Sequence, residues 1–226
     1  MPPSFKAVAT CCLLAGCTTA GGQGFPQQNL AERLPENILG FQREQVRSTG
    51  QVPGDLAITY RSEATGSSAT VYLLRPSTLP LPDGAASPQV EQQVAVAALA
   101  TAAFAGSRPG LRLERGPDYS VTDKGATVPN LHCADFRIDN PPAHVVRNVV
   151  CASGVAGTLI RVHAMGRHKK DDLELGRRYL SGFADRVVDL LKGVVTPETG
   201  APSGPAAPDL SQPTPPPPGS GPLRRT

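Results

Sequence analysis

The alternation of apolar and polar positions in the first half of the chain predicts a β-hairpin. Residues 55–63 place apolar side chains on one face, at Leu56, Ile58 and Tyr60. After a turn that contains Gly66, residues 68–75 return with the same period of two. This period is typical of a strand with one buried face, and a short glycine-containing turn is a common hairpin connection. Residues 40–47 predict a polar edge strand that precedes the hairpin.

Two longer stretches have helical spacing. The first begins at Ser87-Pro88, a capping hydroxyl followed by proline at the first helical position, and ends at Gly106. Its inner face is predicted at Val90, Val94, Ala97, Ala98, Thr101 and Phe104. Because it is rich in alanine, we expect this helix to lie close against a sheet as core packing rather than to form a functional groove.

The second helix is predicted from Asp171 or Asp172, as its N-cap, to about Val194. Its apolar stripe is predicted at Leu180, Phe183, Val187, Leu190, Leu191 and Val194. Four further strands are predicted between the two helices, at residues 111–115, 131–139, 144–152 and 157–165.

The order of elements, β-β-β-α-β-β-β-β-α, determines the fold class. Strands that are joined by tight turns cannot be parallel, so the sheet is antiparallel. The sequence therefore predicts an α+β domain over residues 34–195, in which two helices pack on an antiparallel sheet of about six or seven strands.

The spacing of Cys133 and Cys151 predicts a disulfide across one hairpin. Facing residues of an antiparallel hairpin have a constant index sum, so a loop of three or five residues centred on Pro142 sets the two cysteines opposite each other. The same register places Arg137 opposite Arg147, an unfavourable like-charge pair. A two-residue loop would shift the register, and two buried free thiols are the alternative.

The N-terminal residues contain a second motif. A start with one positive charge, at Lys6, leads into an apolar stretch that is too short to span a bilayer. The stretch closes on Leu14-Ala15-Gly16-Cys17, which resembles the lipobox of bacterial lipoprotein precursors. An ordinary secretory signal and a cytosolic protein with an apolar start are the alternatives.

The resemblance to lipoproteins implies an anchor and a location. It implies a diacylglyceryl group on the Cys17 thiol, cleavage that removes residues 1–16 as a signal peptide, and a further acyl chain on the new amino terminus. Because each buried methylene contributes about 0.8 kcal/mol, two or more chains hold a protein stably on a membrane. Thr18 after the cysteine implies the outer membrane, with the domain facing the periplasm. The implied partners are membrane lipid, through acylated Cys17, and an envelope protein or a cell-wall polymer.

The segments on either side of the domain differ from it in composition. Residues 17–33 are rich in Gly, Gln and Thr and are predicted to form a flexible tether. Residues 196–226 are dense in Pro, Gly, Ser and Ala and are predicted to be a disordered Pro-rich tail with polyproline II stretches. A spacer or docking segment in the cell wall is the alternative interpretation of this tail.

Composition excludes several functions. The net charge is +3, charged residues are 18% and aromatic residues 4% of the chain, and Trp is absent. We therefore expect no nucleic-acid partner. No zinc-protease, phosphate-loop, dinucleotide or nucleophile-elbow motif is present, so no cofactor, no metal and no catalytic residue is predicted. The four histidines are expected to be ordinary polar residues, at His132, His144, His163 and His168.

The predicted function is non-enzymatic binding or assembly at the periplasmic face of the membrane. The alternative is an extracytoplasmic enzyme whose site is assembled only by the fold. A deep pocket with converging polar groups would favour the enzyme, and a shallow sheet face with an exposed apolar patch would favour the binding protein.

Overall fold

The computed structural model describes residues 26–140, 144–168 and 173–194. Within these ranges three helices are present, α1 (Pro26–Ala31), α2 (Pro88–Gly106) and α3 (Leu173–Lys192). The same ranges contain nine strands, β1 (Asn37–Ile38), β2 (Phe41–Ser48), β3 (Leu56–Ser62), β4 (Ser67–Leu74), β5 (Arg112–Arg115), β6 (Tyr119–Val121), β7 (Leu131–Asn140), β8 (His144–Val155) and β9 (Thr158–His168). The fold is α+β, as predicted.

All nine strands belong to one antiparallel sheet with the order β1-β2-β3-β4-β9-β8-β7-β5, and β6 pairs with β7 on the same side as β5. Strands that follow one another form the hairpins β2–β3, β3–β4, β7–β8 and β8–β9. The strand β9 also pairs with β4, which is distant in the chain, and so joins the two groups of strands. This pairing brings the two predicted hairpins together into one continuous surface.

Each face of the sheet has its own apolar core. On one face, α1 and α3 pack over the larger core, in which the ring of Phe183 contacts the rings of Phe41 and Tyr60. On the other face, α2 packs over a smaller core that includes Val94 and Phe136. The second face is therefore covered by a single helix.

The helix α3 is amphipathic, and its buried residues include Leu180, Phe183, Val187, Leu190 and Leu191, as predicted. Val194 is exposed, which corrects its assignment to the stripe, because α3 ends at Lys192. The predicted N-cap at Asp171 or Asp172 lies outside the described residues.

The helix α2 begins as predicted. The Ser87 side chain accepts a hydrogen bond from the Gln89 N–H, and Pro88 is the first helical residue. The predicted inner face is buried with one exception, because Ala105 rather than Phe104 faces the sheet. Phe104 lies at the side of the helix, 50% exposed, with the Arg108 guanidinium carbon 4.2 Å from its ring centroid.

The segment before α2 is fixed to the end of β8. Gly84 and Gly154 exchange two backbone hydrogen bonds, at 2.9 and 2.8 Å. A Cβ atom on residue 154 would lie 2.1 Å from the Pro82 carbonyl oxygen, so only glycine permits this approach. This attachment determines where α2 starts on the sheet.

The hairpin of β7 and β8 has the predicted register. Cys133 lies opposite Cys151, and Asn140 lies opposite His144, which leaves a connection of residues 141–143 that lies outside the described residues. The structure contains the predicted disulfide between Cys133 and Cys151, with the two Cα atoms 4.1 Å apart.

The like-charge pair in this register is compensated by carboxylates. Arg137 and Arg147 do face each other across the two strands. Arg147 forms an ion pair with buried Asp135, and Arg137 Nε donates to Asp139 Oδ1 at 3.0 Å. The repulsion expected from the sequence is therefore offset within the same strand pair.

The tether prediction is wrong for its second half. Residues Pro26–Ala31 form α1, in which Leu30 and Ala31 are buried in the larger core, so the domain includes residues before position 34. The helix has fewer than two turns, too few for a periodic pattern to be recognised. The strands β1 and β6 were missed for the same reason, and the sheet has nine strands rather than six or seven.

Several predictions concern segments outside the described residues. These segments are the signal peptide (1–16), the lipidation site Cys17, the first part of the tether (17–25) and the Pro-rich tail (196–226). Among the described helices, none has both the length and the apolar character that a membrane span requires.

Candidate binding cleft

A cleft lies beside α2, on the sheet face that this helix only partly covers. The strands β4, β9 and β8 are neighbours, and their alternate side chains point to this face. Register places Tyr72 opposite Arg161 and Asn148 opposite Met165, so these four side chains form the floor. The wall is the side of α2.

One half of the cleft is apolar. Its volume is about 680 Å³, within the range of roughly 300–1,000 Å³ that is typical of small-molecule sites. Among its lining residues, Val96 is 49% exposed, Phe104 50% and Met165 40%. Exposed apolar side chains in one contiguous group usually mark a binding surface rather than a feature of folding.

The other half of the cleft is polar and has a volume of about 710 Å³. Its polar lining comes from the end of β2, from the residues that flank β3 and β4, and from the first turns of α2, at Arg47, Asp55, Arg75, Gln89, Gln92 and Gln93. Tyr72, Val96 and Arg161 line both halves. The two halves therefore adjoin at these three residues.

Arg161 lies at the junction of the two halves. Its guanidinium carbon is 4.3 Å from the ring centroid of Tyr72, and its Nη1 donates to Gln93 Oε1 at 3.4 Å. Burial lowers the pKa of Arg161, and the tyrosine opposes that shift. Within the described part of the chain, no carboxylate forms an ion pair with this guanidinium.

His163 lies next to Arg161 on the same sheet face. Its Nε2 is 2.8 Å from Oδ1 of Asn148, and since an amide oxygen only accepts, Nε2 carries the proton and donates it. Burial, and secondarily the positive charge of Arg161, lowers the pKa of His163 to about 4. The imidazole is therefore neutral near pH 7, and Arg161 supplies the positive charge at this point.

The contacts of His163 suit binding better than acid–base catalysis. A catalytic imidazole is commonly oriented by a carboxylate and contacts a nucleophile, whereas the hydrogen-bonding partner of His163 is the buried side-chain amide of Asn148. The polar groups here determine the shape and charge of the cleft.

A group of carboxylates lies elsewhere, on the α3 side. Asp123, Asp185 and Asp189 have oxygen atoms within 4.8 Å of one another. Asn130 Nδ2 donates to Asp185 Oδ1 at 2.8 Å, and Lys192 donates to the Asn130 side-chain oxygen. Burial raises the pKa of both Asp185 and Asp189. We assign this group the structural role of attaching α3 to the segment before β7.

Of the residues singled out in the sequence, His163 and Phe104 line the cleft, whereas the two cysteines lie away from it. Cys133 and Cys151 are buried in the core under α3, on the opposite face of the sheet, where their disulfide has a structural role. The prediction that α2 packs closely on a sheet is confirmed, and a cleft also lies along its side.

One signal in the sequence could have indicated the cleft. After Glu91, α2 contains no charged residue, and Thr101 is its only polar side chain beyond Gln93. A helix that is apolar on all sides is normally buried on all sides. Because α2 lies on the surface, its apolar flank is left open for a ligand or a partner.

Comparison with known protein families and with curated protein sequences found no match. The fold and the site define an α+β domain with an elongated cleft between one helix and an open sheet face. The function therefore has to be inferred from the chemistry of the cleft.

Proposed function

We propose that this chain is a lipid-anchored binding protein of the bacterial cell envelope, and that the cleft along α2 binds an elongated amphiphilic molecule. The observation that carries the proposal is an apolar half-site next to a polar, arginine-containing half-site, with three lining residues in common. An acyl or similar chain fits the apolar half, and its headgroup fits the polar half.

The anchor in this proposal is the acylated Cys17 of the lipobox, which would hold the domain on the periplasmic face of the outer membrane. A protein that is attached to a bilayer is close to a large supply of amphiphiles. The location and the cleft therefore support one another, although each has its own test.

The form of the cleft favours binding over catalysis. It runs along a sheet face beside exposed apolar side chains of α2, as expected for a binding protein. Its titratable groups do not form a nucleophile–base pair within the described residues, since His163 bonds to an amide and Asp55 Oδ1 accepts the Arg75 backbone N–H at 2.8 Å.

The proposal is tested by titrating the full chain with dodecanol, in a Cys17→Ser background so that neither acyl chains nor detergent compete. Ala100 lines the apolar half, whereas Ala103 is exposed on α2 and does not. Dodecanol should bind the parent chain, and Ala100→Trp should fill the cleft and weaken binding at least tenfold. The matched control Ala103→Trp should bind as the parent does. If dodecanol does not bind, or binds equally to both variants, the proposal is wrong.

A further inference from the structure

We propose that Arg161 is an oxyanion-binding residue that selects anionic amphiphiles, such as carboxylates with a long alkyl chain, and orients them along the cleft. This inference rests on the proposed function, because it names the ligand class of the same site. It specifies the orientation of the bound molecule, with the headgroup at Arg161 and the chain directed toward Phe104 and Met165.

The first step is that Arg161 is a partly buried cation without a counterion from the described chain. Burying a guanidinium is costly unless a partner compensates it. The contacts with the Tyr72 ring and with Gln93 Oε1 compensate the charge only in part, since neither partner is anionic. A bound anion would complete the compensation.

The second step is a comparison within the same sheet. Arg147 is also a partly buried arginine of the sheet, 12% exposed, and the chain supplies Asp135 as its ion-pair partner. The two arginines lie on opposite faces, Arg147 under α3 and Arg161 in the cleft. Within the described residues, the structural arginine Arg147 therefore has a carboxylate partner. Arg161 has none, and a bound ligand could provide it.

The third step is the overall charge of the cleft. The charged side chains that line it are four arginines and one aspartate, at Arg47, Arg75, Arg108, Arg161 and Asp55. The excess positive charge is complementary to an anion and opposes a cationic headgroup. Arginine also presents its donors in a planar fork that matches a carboxylate or a phosphate.

The fourth step is position. Because Arg161 lines both halves, an anion at its guanidinium lies where the apolar half begins. A chain attached to that anion can enter the apolar half directly and contact Val96 and Phe104. Arg108 lies at the far end, over the Phe104 ring, and is exposed. Arg61 on β3 is exposed and lines neither half, so it provides a matched control.

The experiment compares three probes of equal chain length, dodecanoate, dodecanol and dodecyltrimethylammonium, with the full chain in the Cys17→Ser background. Dodecanoate should bind at least about tenfold more tightly than dodecanol, since a hydrogen bond to a charged group is lost with the alcohol. The cationic probe should bind most weakly. Equal binding of dodecanoate and dodecanol would overturn the inference while leaving the proposed function intact.

Two substitutions test whether Arg161 is the residue that causes the preference for dodecanoate. Arg161→Met keeps an unbranched apolar stem over Tyr72 and removes the charge, so it should abolish the preference for dodecanoate over dodecanol. Arg61→Met should retain the preference. A preference that survives in Arg161→Met, or is lost equally in both variants, would refute the assignment to Arg161.

Competition with inorganic phosphate distinguishes binding of an amphiphile through its headgroup from binding of a free ion. At the concentration at which dodecanoate saturates the protein, phosphate should not displace it, because the apolar chain contributes much of the affinity. Displacement would mean that Arg161 serves a free oxyanion, and would overturn the proposal that it orients an amphiphile. Loss of binding by all three alkyl probes would instead contradict the proposed function itself.

Discussion

The guanidinium of Arg161 lies over the ring of Tyr72, with its central carbon 4.3 Å from the ring centroid. The two residues face each other on β4 and β9, so the contact is a consequence of strand register. A cation–π contact of this kind is worth on the order of 1 kcal/mol. It holds the arginine in place at the junction of the cleft without neutralising it, which leaves the charge to act on a ligand.

Loss of the disulfide should weaken the fold measurably. The bond closes a loop with a sequence separation of 18, for which loop-closure entropy corresponds to about 3 kcal/mol. We expect the double variant Cys133→Ala with Cys151→Ala to lose about 2–4 kcal/mol in the free energy of unfolding in urea, and to become insensitive to reductant. Alkylation of Cys133 and Cys151 in the native protein without reductant would show that the bond is not formed.

Breaking the ion pair of Asp135 and Arg147 should be costly. Asp135 is buried and Arg147 nearly so, at 4% and 12% exposure, so Asp135→Asn leaves a largely buried charge without a partner. We expect a loss of about 3–5 kcal/mol in the free energy of unfolding. The double variant Asp135→Leu with Arg147→Met should be more stable than Asp135→Asn, because it leaves neither charge behind.

An exposed ion pair provides the control for that experiment. Arg61 and Glu44 bridge β3 and β2 at the surface, with side chains 57% and 43% exposed. Arg61→Met should change stability little, since solvent screens the pair. Equal losses in Arg61→Met and Asp135→Asn would show that burial does not determine the cost of breaking these ion pairs.

His163 should make the protein less stable in acid. Its pKa is about 4 in the fold and about 6.5 in an unfolded chain, so between these values the unfolded state binds more protons. Its contribution is fully present above pH 6.5 and is lost as the pH falls toward 4, by roughly 3 kcal/mol at most. Urea unfolding of the parent and of His163→Gln at about pH 7 and pH 5 measures it. The variant should show a smaller loss on acidification, and an identical loss would rule out this role.

The lipobox proposal makes a prediction that is independent of the cleft. Cys17→Ala should leave the protein unprocessed or soluble in its native type of cell, whereas the parent should fractionate with the membrane and have the mass of an acylated chain. Cys12→Ala alters a neighbouring cysteine in the same stretch and should still be lipidated. A Cys17→Ala protein that is still cleaved and membrane-bound would exclude this anchor.

Much of the fold could be predicted because its strands are long and alternate. The hairpin of β3 and β4 and the start of α2 at Ser87 follow from local patterns. The disulfide follows from counting residues around Pro142, since register determines which residues face each other. By contrast, α1, β1 and β6 are too short to show a period, and tertiary packing alone determines them.

The cleft could not be predicted because it depends on how much of the sheet α2 covers. Val96 and Met165 are 69 positions apart in the chain and line the same site only after β9 has joined β4 to β8. The position of α2 in turn depends on the close approach of Gly84 and Gly154. The lack of charged residues in α2 after Glu91 was visible in the sequence, but the exposure of the helix was not.

The most direct test of the proposed cleft is a crystal structure of the full chain, with Cys17→Ser, grown with 12-bromododecanoate. The anomalous signal of bromine locates the chain end without bias. We expect bromine in the apolar half near Phe104 and Met165, and the carboxylate within hydrogen-bonding distance of Arg161. Bromine bound outside this cleft, or a carboxylate directed away from Arg161, would contradict the proposed mode of binding.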